Sequence, residues 1–163
     1  MGWFKKRQAM LEAGSQSPEF ELKDTSGAPR SLTAILERGP ALFAFFKIGC
    51  PVCQLTFPFL ERLAKNESVQ VIGISQDDSG ATQAFNQRFG VTFPVLLDES
   101  KACYPVSNAF GITNVPTVFV VEPGGAISTA FTGFSKRDLE GIGQRVGVPP
   151  FRPDENVPEW KAG

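Results

Sequence analysis

"FKIGCPVCQLTFPFLERL", residues 46–63, carries two of the chain's three cysteines, Cys50 and Cys53, with a proline and a valine between them. Such a pair can be a redox centre, half of a metal site, or two small residues in a core. Its flanks decide between these. Upstream, "ALFAFF" (41–46) is a continuous apolar run of strand length, as expected of a strand buried on both faces. Downstream, Phe57, Leu60 and Ala64 recur at spacings of three and four, the period of an amphipathic helix. The cysteines therefore stand where a buried strand gives way to a helix.

That placement has chemical consequences. Pro51 fits the first helical position, where a missing N–H costs nothing and a fixed φ helps. Cys50 then lies among the free N–H groups at the positive end of the helix dipole, which favours a thiolate and lowers the thiol pKa. Lys47, three residues earlier, adds positive charge if it points that way. Cys53 falls one turn further on, on the same side of the helix and deeper. A reactive thiolate with a shielded partner in bonding reach can perform dithiol–disulfide exchange: Cys50 attacks a substrate disulfide and Cys53 resolves the mixed disulfide.

Outward from this junction, helical and strand patterns alternate. On the N-terminal side, residues 1–17 read as a loosely held lead-in with a short helical turn around Ala9–Ala13. "EFELKDTSGAPRSL" (19–32) alternates apolar and polar residues around a turn at Asp24–Gly27, an edge hairpin. Ser31 is placed to cap a short helix, Leu32–Glu37. On the C-terminal side, "VQVIGIS" (69–75) reads as a second buried strand. Residues 79–90 form a helix with Ala81, Phe85 and Phe89 inward and Gly90 as its cap. "FPVLLD" (93–98) is a short strand and "ACYPVSNAFGI" (102–112) a helix. "TVFVVEPGGAISTAFTG" (117–133) is a hairpin turning at Pro123–Gly125. "SKRDLEGIGQRVG" (135–147) is a last helix, capped by Ser135, with Leu139, Ile142 and Val146 inward. The order predicts a single α/β domain with a mixed sheet over 18–146. The tail, 147–163, rich in proline and charge, reads as a surface strap or a disordered end.

Bulk properties remove several function classes. At 163 residues the chain has the length of one domain. Net charge is −1 with the signs interspersed and no basic stripe, which argues against nucleic acid. No stretch approaches the ~20 apolar residues of a membrane span. The basic cluster Lys5, Lys6, Arg7 is not followed by the apolar run of a secretory signal, so a cytoplasmic location is expected, or an extracytoplasmic one if a signal was removed. Histidine is absent, which removes Ser-His and Cys-His nucleophile pairs and every histidine-based metal site.

The segment "FFKIGCPVCQLTFPFLERL" resembles the active-site segment of the thioredoxin fold, and most of all the TlpA/ResA-type branch of the AhpC/TSA redoxin superfamily. C-P-x-C after an apolar strand, with Pro58 five residues past the second cysteine, carries the likeness. "FGVTFPVLLDES" and "FGITNVPTVFVVEPGGAI" extend it across roughly residues 18–146. The resemblance implies a thioredoxin-like fold with an N-terminal hairpin extension and a thiol-disulfide oxidoreductase, with no cofactor beyond the Cys50–Cys53 disulfide. It implies a cis Val115–Pro116 bond facing the cysteines, with Val115 offering its backbone to an extended client and Pro51 on the same substrate-facing surface. It implies that an acidic residue at the end of the second strand, Asp77 or otherwise Asp78, assists proton transfer. The alternative for "QDDSG" is a solvated loop and helix cap. Two positions depart from the pattern: Ala44 stands where thioredoxins carry a buried aspartate, and Gly49 where a tryptophan commonly precedes the first cysteine.

Other readings fit the sequence less well, among them a binding scaffold that kept the fold and lost the chemistry, against which the intact C-P-x-C stands. A peroxiredoxin needs a Pro-x-x-x-Thr/Ser-x-x-Cys frame; the matching positions are Phe43 and Lys47 before Cys50, or Phe46 and Cys50 before Cys53, and neither pair fits. A metal or structural module would need a fuller ligand set than three cysteines without histidine. Cys103 reads as a half-buried small residue. The expected partners are protein thiol or disulfide clients and an upstream electron donor, and the expected state is a monomer. The default direction is reduction of protein disulfides.

Overall fold

The apolar run at 41–46 becomes β3 (Ala41–Phe46), and all six of its residues are fully shielded from solvent in the computed structural model, which describes residues 6–163. It lies between β4 (Gln70–Ser75), with which it runs parallel, and β6 (Thr117–Val121), with which it is antiparallel. With β1 (Glu21–Asp24), β2 (Pro29–Ser31), β5 (Val95–Leu97) and β7 (Ile127–Thr132), these strands form a seven-stranded mixed sheet in the order β2-β1-β5-β4-β3-β6-β7. The β1–β2 hairpin is the predicted extension, with β2 on the outer edge.

A strand buried on both faces needs two cores, and the alternation of β3 supplies them. Leu42, Ala44 and Phe46 face α2 (Pro51–Leu63), α3 (Ser79–Phe89) and α5 (Lys136–Val146) through Phe57, Leu60, Phe85, Leu139 and Ile142. Ala41, Phe43 and Phe45 face α1 (Leu32–Leu36) and α4 (Pro105–Phe110) through Leu32, Ile35 and Phe110. Aromatic rings fill both layers. Phe57 packs at centroid distances of 4.2 Å from Phe46, 5.5 Å from Phe85 and 5.7 Å from Phe93.

The predicted caps form. Ser31 Oγ accepts from the Ala34 N–H, Ser135 Oγ from the Asp138 N–H, and Gly90 (φ 68°) closes α3 in the left-handed conformation glycine favours. Four expectations need correction. The stretch 102–112 is not one helix: a 3₁₀ turn, Ser100–Ala102, ends in Cys103 and Tyr104 at positive φ, and α4 starts only at Pro105. Pro105 disfavours helix for the residue before it, so the break falls at Tyr104. Cys103 is exposed rather than half-buried. In the lead-in, residues 6–12 form no helical turn. The lead-in is instead tied to the end of α4 by Leu11 N–H to Phe110 O (3.1 Å) and to β7 by Gly14 N–H to Ile127 O (2.8 Å). On α3, the inward residue beside Phe85 is Thr82, whereas Ala81 and Phe89 are only half-buried.

The tail forms a strap. Arg62 on α2 holds the Glu155 carboxylate in a two-pronged pair at 2.5 and 2.9 Å and donates to the Pro150 carbonyl at 2.9 Å. That hydrogen-bonded pair pulls the Glu155 carboxyl down to about 2. Phe151 packs edge-on against Phe59 at 4.8 Å. Beyond it, β9 (Trp160–Lys161) pairs antiparallel with β8 (Phe134–Ser135).

Candidate active site

Cys50 is the N-cap of α2, with extended backbone (φ −84°, ψ 112°) and Pro51 in the first turn. The carboxyl end of β3 is buried and the helix must start from it, so the loop 47–50 has little freedom. Its backbone is pinned three ways. The Cys50 N–H donates to Lys47 O at 3.2 Å, the Gln54 side-chain amide donates to Ile48 O at 2.9 Å, and the Ile48 N–H donates to Asp77 Oδ2 at 2.8 Å. Lys47 itself is exposed.

The two sulfurs have different surroundings. Cys50 is half-exposed, and its Sγ accepts the Cys53 N–H at 3.1 Å, a donor that favours negative charge on that sulfur. Cys53 is fully buried against Phe57 and Leu60 in the α2 core. Burial first, and then the hydrogen bond and charge of the neighbouring Cys50 sulfur, push the Cys53 thiol far above the usual thiol range. An exposed first sulfur over a buried, protonated second one suits attack followed by resolution.

Across the groove, the Val115–Pro116 bond is cis, and the Cys50 thiol donates to the Val115 carbonyl oxygen at 3.4 Å. This loop is held from behind. The Pro116 carbonyl accepts the Gly133 N–H at 2.8 Å and the Thr132 hydroxyl at 3.3 Å, while Thr117 Oγ1 donates to Asn114 O at 2.7 Å. Val115 is half-buried and Pro116 buried. Cys50, Cys53, Pro51, Val115 and Pro116 thus meet at one end of the sheet.

The two aspartates divide their tasks. Asp78 is the N-cap of α3, accepting from the Ala81 N–H at 2.8 Å. Asp77 faces the 47–50 loop instead, where its Oδ2 takes the Ile48 N–H; among the described residues its Oδ1 has no hydrogen-bond partner. It makes no hydrogen bond to either sulfur. Ala44 is fully buried and pairs with Gly73 and Val118, so no carboxylate approaches Cys53 from β3. Among the described residues, no three Cys, Asp or Glu side chains cluster as metal ligands would. No helix of the described residues is long and apolar enough to cross a membrane.

Three contributors escaped the sequence reading. Gln54, inside the helix, ties back the loop before Cys50, and its only signal is a polar residue one position after the second cysteine. Asp98 is fully buried and accepts the Val106 and Ser107 N–H groups at 3.1 and 2.6 Å, fixing the start of α4. An aspartate shortly before a helix-initiating proline was the available cue. The third is the strap's course: a surface strap is one of the two expectations for 147–163, but nothing in its residues points it to the Val115 loop, which Gly163 reaches.

Among curated proteins, the thiol-disulfide oxidoreductase ResA of Geobacillus thermodenitrificans is 28% identical over 136 residues, covering 80% of this chain and 75% of the relative. Peroxiredoxin Q of Suaeda salsa is 28% identical over 131 residues, covering 76% of this chain and 61% of the relative. Among solved structures, the thioredoxin domain of a thiol-disulfide oxidoreductase from Bacteroides vulgatus superposes with a TM-score of 0.73 at 21% identity, covering 83% of this chain and 99% of that domain, and shares the fold. The AhpC/TSA family matches residues 13–130, a span containing Cys50, Cys53 and the Val115–Pro116 loop, and the chain belongs to that family.

Proposed function

We infer that this chain is a thiol-disulfide oxidoreductase that reduces disulfides of protein clients through Cys50 and Cys53. The observation that carries the reading is the pairing of a half-exposed Cys50 sulfur, served by a helix N–H, with a fully buried Cys53 one turn away. In the reduced chain the Cys50 thiolate attacks one sulfur of a client disulfide; that S–S bond breaks and the other client sulfur leaves as a thiolate that takes up a proton. The Cys53 thiol then loses its proton and its sulfur attacks Cys50 Sγ. The mixed disulfide breaks, the second client thiol departs, and two electrons have passed from the chain to the client. An upstream dithiol returns the Cys50–Cys53 disulfide to the reduced state. A reducing compartment supplies such a donor.

The client's extended main chain is placed along Val115, whose carbonyl already faces the Cys50 sulfur, with Pro51 and Pro116 as its apolar borders. The peroxiredoxin reading has less support, since Lys47 occupies the position where a hydroxyl would orient peroxide. The test is turnover with a disulfide-linked peptide and a donor dithiol against turnover with hydrogen peroxide. Exchange faster by at least about tenfold is expected; peroxide turnover equal to or above it would refute the assignment.

The resolving step needs a proton removed from a thiol that burial keeps protonated, so that step accelerates as pH rises. Asp77 is proposed to receive that proton, relayed by solvent to its unpartnered Oδ1. Asp77→Asn keeps an acceptor for the Ile48 N–H but cannot take a proton. Resolution is expected to slow about tenfold near neutral pH and recover at higher pH. An unchanged pH profile would leave Asp77 as a support for the loop only.

A further inference from the structure

The lane beside Val115 is already occupied by the chain's own tail. After Glu155 is secured at Arg62, the strap runs along the strand that follows the Val115–Pro116 loop's hydrogen-bond partners. Ser135 pairs with Trp160 and Phe134 with Lys161, and the Lys136 N–H donates to Glu159 O at 3.0 Å. The Trp160 indole N–H donates to Thr132 O at 3.3 Å. Two glycines then let main chains meet. A Cβ at Gly133 (φ 75°) would fall on the Lys161 carbonyl oxygen. A Cβ at Gly163 would fall on the Val115 carbonyl oxygen, with Pro116 Cδ only 3.2 Å away. That oxygen is the one the Cys50 thiol contacts at 3.4 Å, so the Gly163 main chain and the reactive sulfur share a single carbonyl.

The hold at this end is slight. Residues 159–163 are exposed, and Trp160, at 58%, is the one large hydrophobic side chain left open among the described residues. Val157 packs on the α2 core, whereas residues 158–163 are all exposed. Hydrogen bonds open to water contribute little each, so the segment can leave without disturbing the domain, while the Arg62–Glu155 pair keeps it tethered close by.

We propose that Trp160–Gly163 is a built-in competitor for the client lane, which an extended client main chain must displace from Val115 before its disulfide reaches Cys50. This rests on the oxidoreductase reading above and adds its regulation. It also specifies the client: a flexible, extended segment with a small residue opposite Val115, as the tail itself presents with Ala162 and Gly163. A tethered competitor multiplies the apparent KM by the reciprocal of the fraction of time the lane is open, and it leaves a small disulfide that needs no main-chain pairing unaffected.

The test uses the full chain carrying Gly163→Val, which places a Cβ where the Val115 oxygen lies, or Trp160→Ala, which removes the indole hydrogen bond. Each is assayed on a disulfide-linked peptide and on hydroxyethyl disulfide. The expected result is a rise in kcat/KM on the peptide of about tenfold for Gly163→Val, through KM, with the hydroxyethyl disulfide rate within about twofold of the parent. A free peptide of the sequence of residues 159–163 should reverse the gain. Unchanged or slower peptide exchange in both variants would overturn the proposal, and so would equal acceleration on both substrates, which would mean general shielding of the thiol. Failure of the parent chain to exchange with hydroxyethyl disulfide would instead count against the oxidoreductase reading itself.

Discussion

Cys53→Ser should convert the chain from a catalyst into a trap that accumulates mixed disulfides at Cys50, whereas Cys50→Ser should form none and lose exchange by roughly a thousandfold or more. The asymmetry follows from the environment of the two sulfurs. Cys50 caps the helix, faces the groove and receives the Cys53 N–H, which the backbone still supplies after Cys53→Ser. Cys53 has no exposed surface and sits against Phe57 and Leu60, so a client disulfide cannot reach it in the folded chain. A serine hydroxyl cannot substitute for a thiolate as attacking group or resolver at neutral pH. Non-reducing gels or intact mass after mixing with a disulfide-linked peptide read the result directly. Equal trapping by the two variants would show that burial and the helix terminus do not set the roles. The exposed Cys103 supplies background labelling, which Cys103→Ser in both variants removes.

Phe57→Ala should be the most destabilising single change near the site, at about 3–5 kcal/mol. The ring is fully buried and contacts the rings of Phe46, Phe85 and Phe93, which come from β3, from α3 and from the segment leading into β5. Its removal opens a cavity among rings fixed to three separate backbones, which cannot easily collapse. A chain of this size loses about 2–4 °C in melting temperature per kcal/mol, so a fall of roughly 10 °C is expected. Urea unfolding should show a lower midpoint at an unchanged slope. Because the same helix carries Cys53, the buried thiol should also become reactive toward alkylation. A loss below about 1 kcal/mol would contradict the packing described for this layer.

The central architecture was legible because its signals are local and mutually consistent. A six-residue apolar run can be buried on both faces only at the centre of a sheet, and Cys50-Pro51 directly after it reads as a helix start whichever fold surrounds it. The caps at Ser31, Gly90 and Ser135 were read from side-chain and backbone preferences that need no tertiary information. Where the reading fell short, the deciding partner was distant in sequence. The lead-in looks loose in sequence because its backbone bonds to Phe110 and Ile127 carry no side-chain signature, and Met10 and Leu11, which pack on the second core, show no periodicity. The tail reads equally as strap or disorder because its composition is polar. What orders it is Arg62, whose guanidinium reads from sequence as an ordinary solvated charge on an amphipathic helix. The break at Cys103–Tyr104 combines Pro105, a local signal in the sequence, with Asp98 accepting the first N–H groups of α4 across the end of β5, a contact no local pattern shows. The meeting of Val115 with Cys50, 65 residues apart, came from family resemblance and from no pattern in the residues themselves.

The measurement closest to the central claim is a single-turnover reaction. The fully reduced chain is mixed with an equimolar disulfide-linked peptide, and the products are mapped by mass after acid quenching. One client disulfide is expected to be reduced per chain, its two new thiols matched by two hydrogens lost from Cys50 and Cys53 as they join in a disulfide, with Cys103 left as a free thiol. A client left oxidised, or a disulfide that includes Cys103 in place of either partner, would contradict that claim.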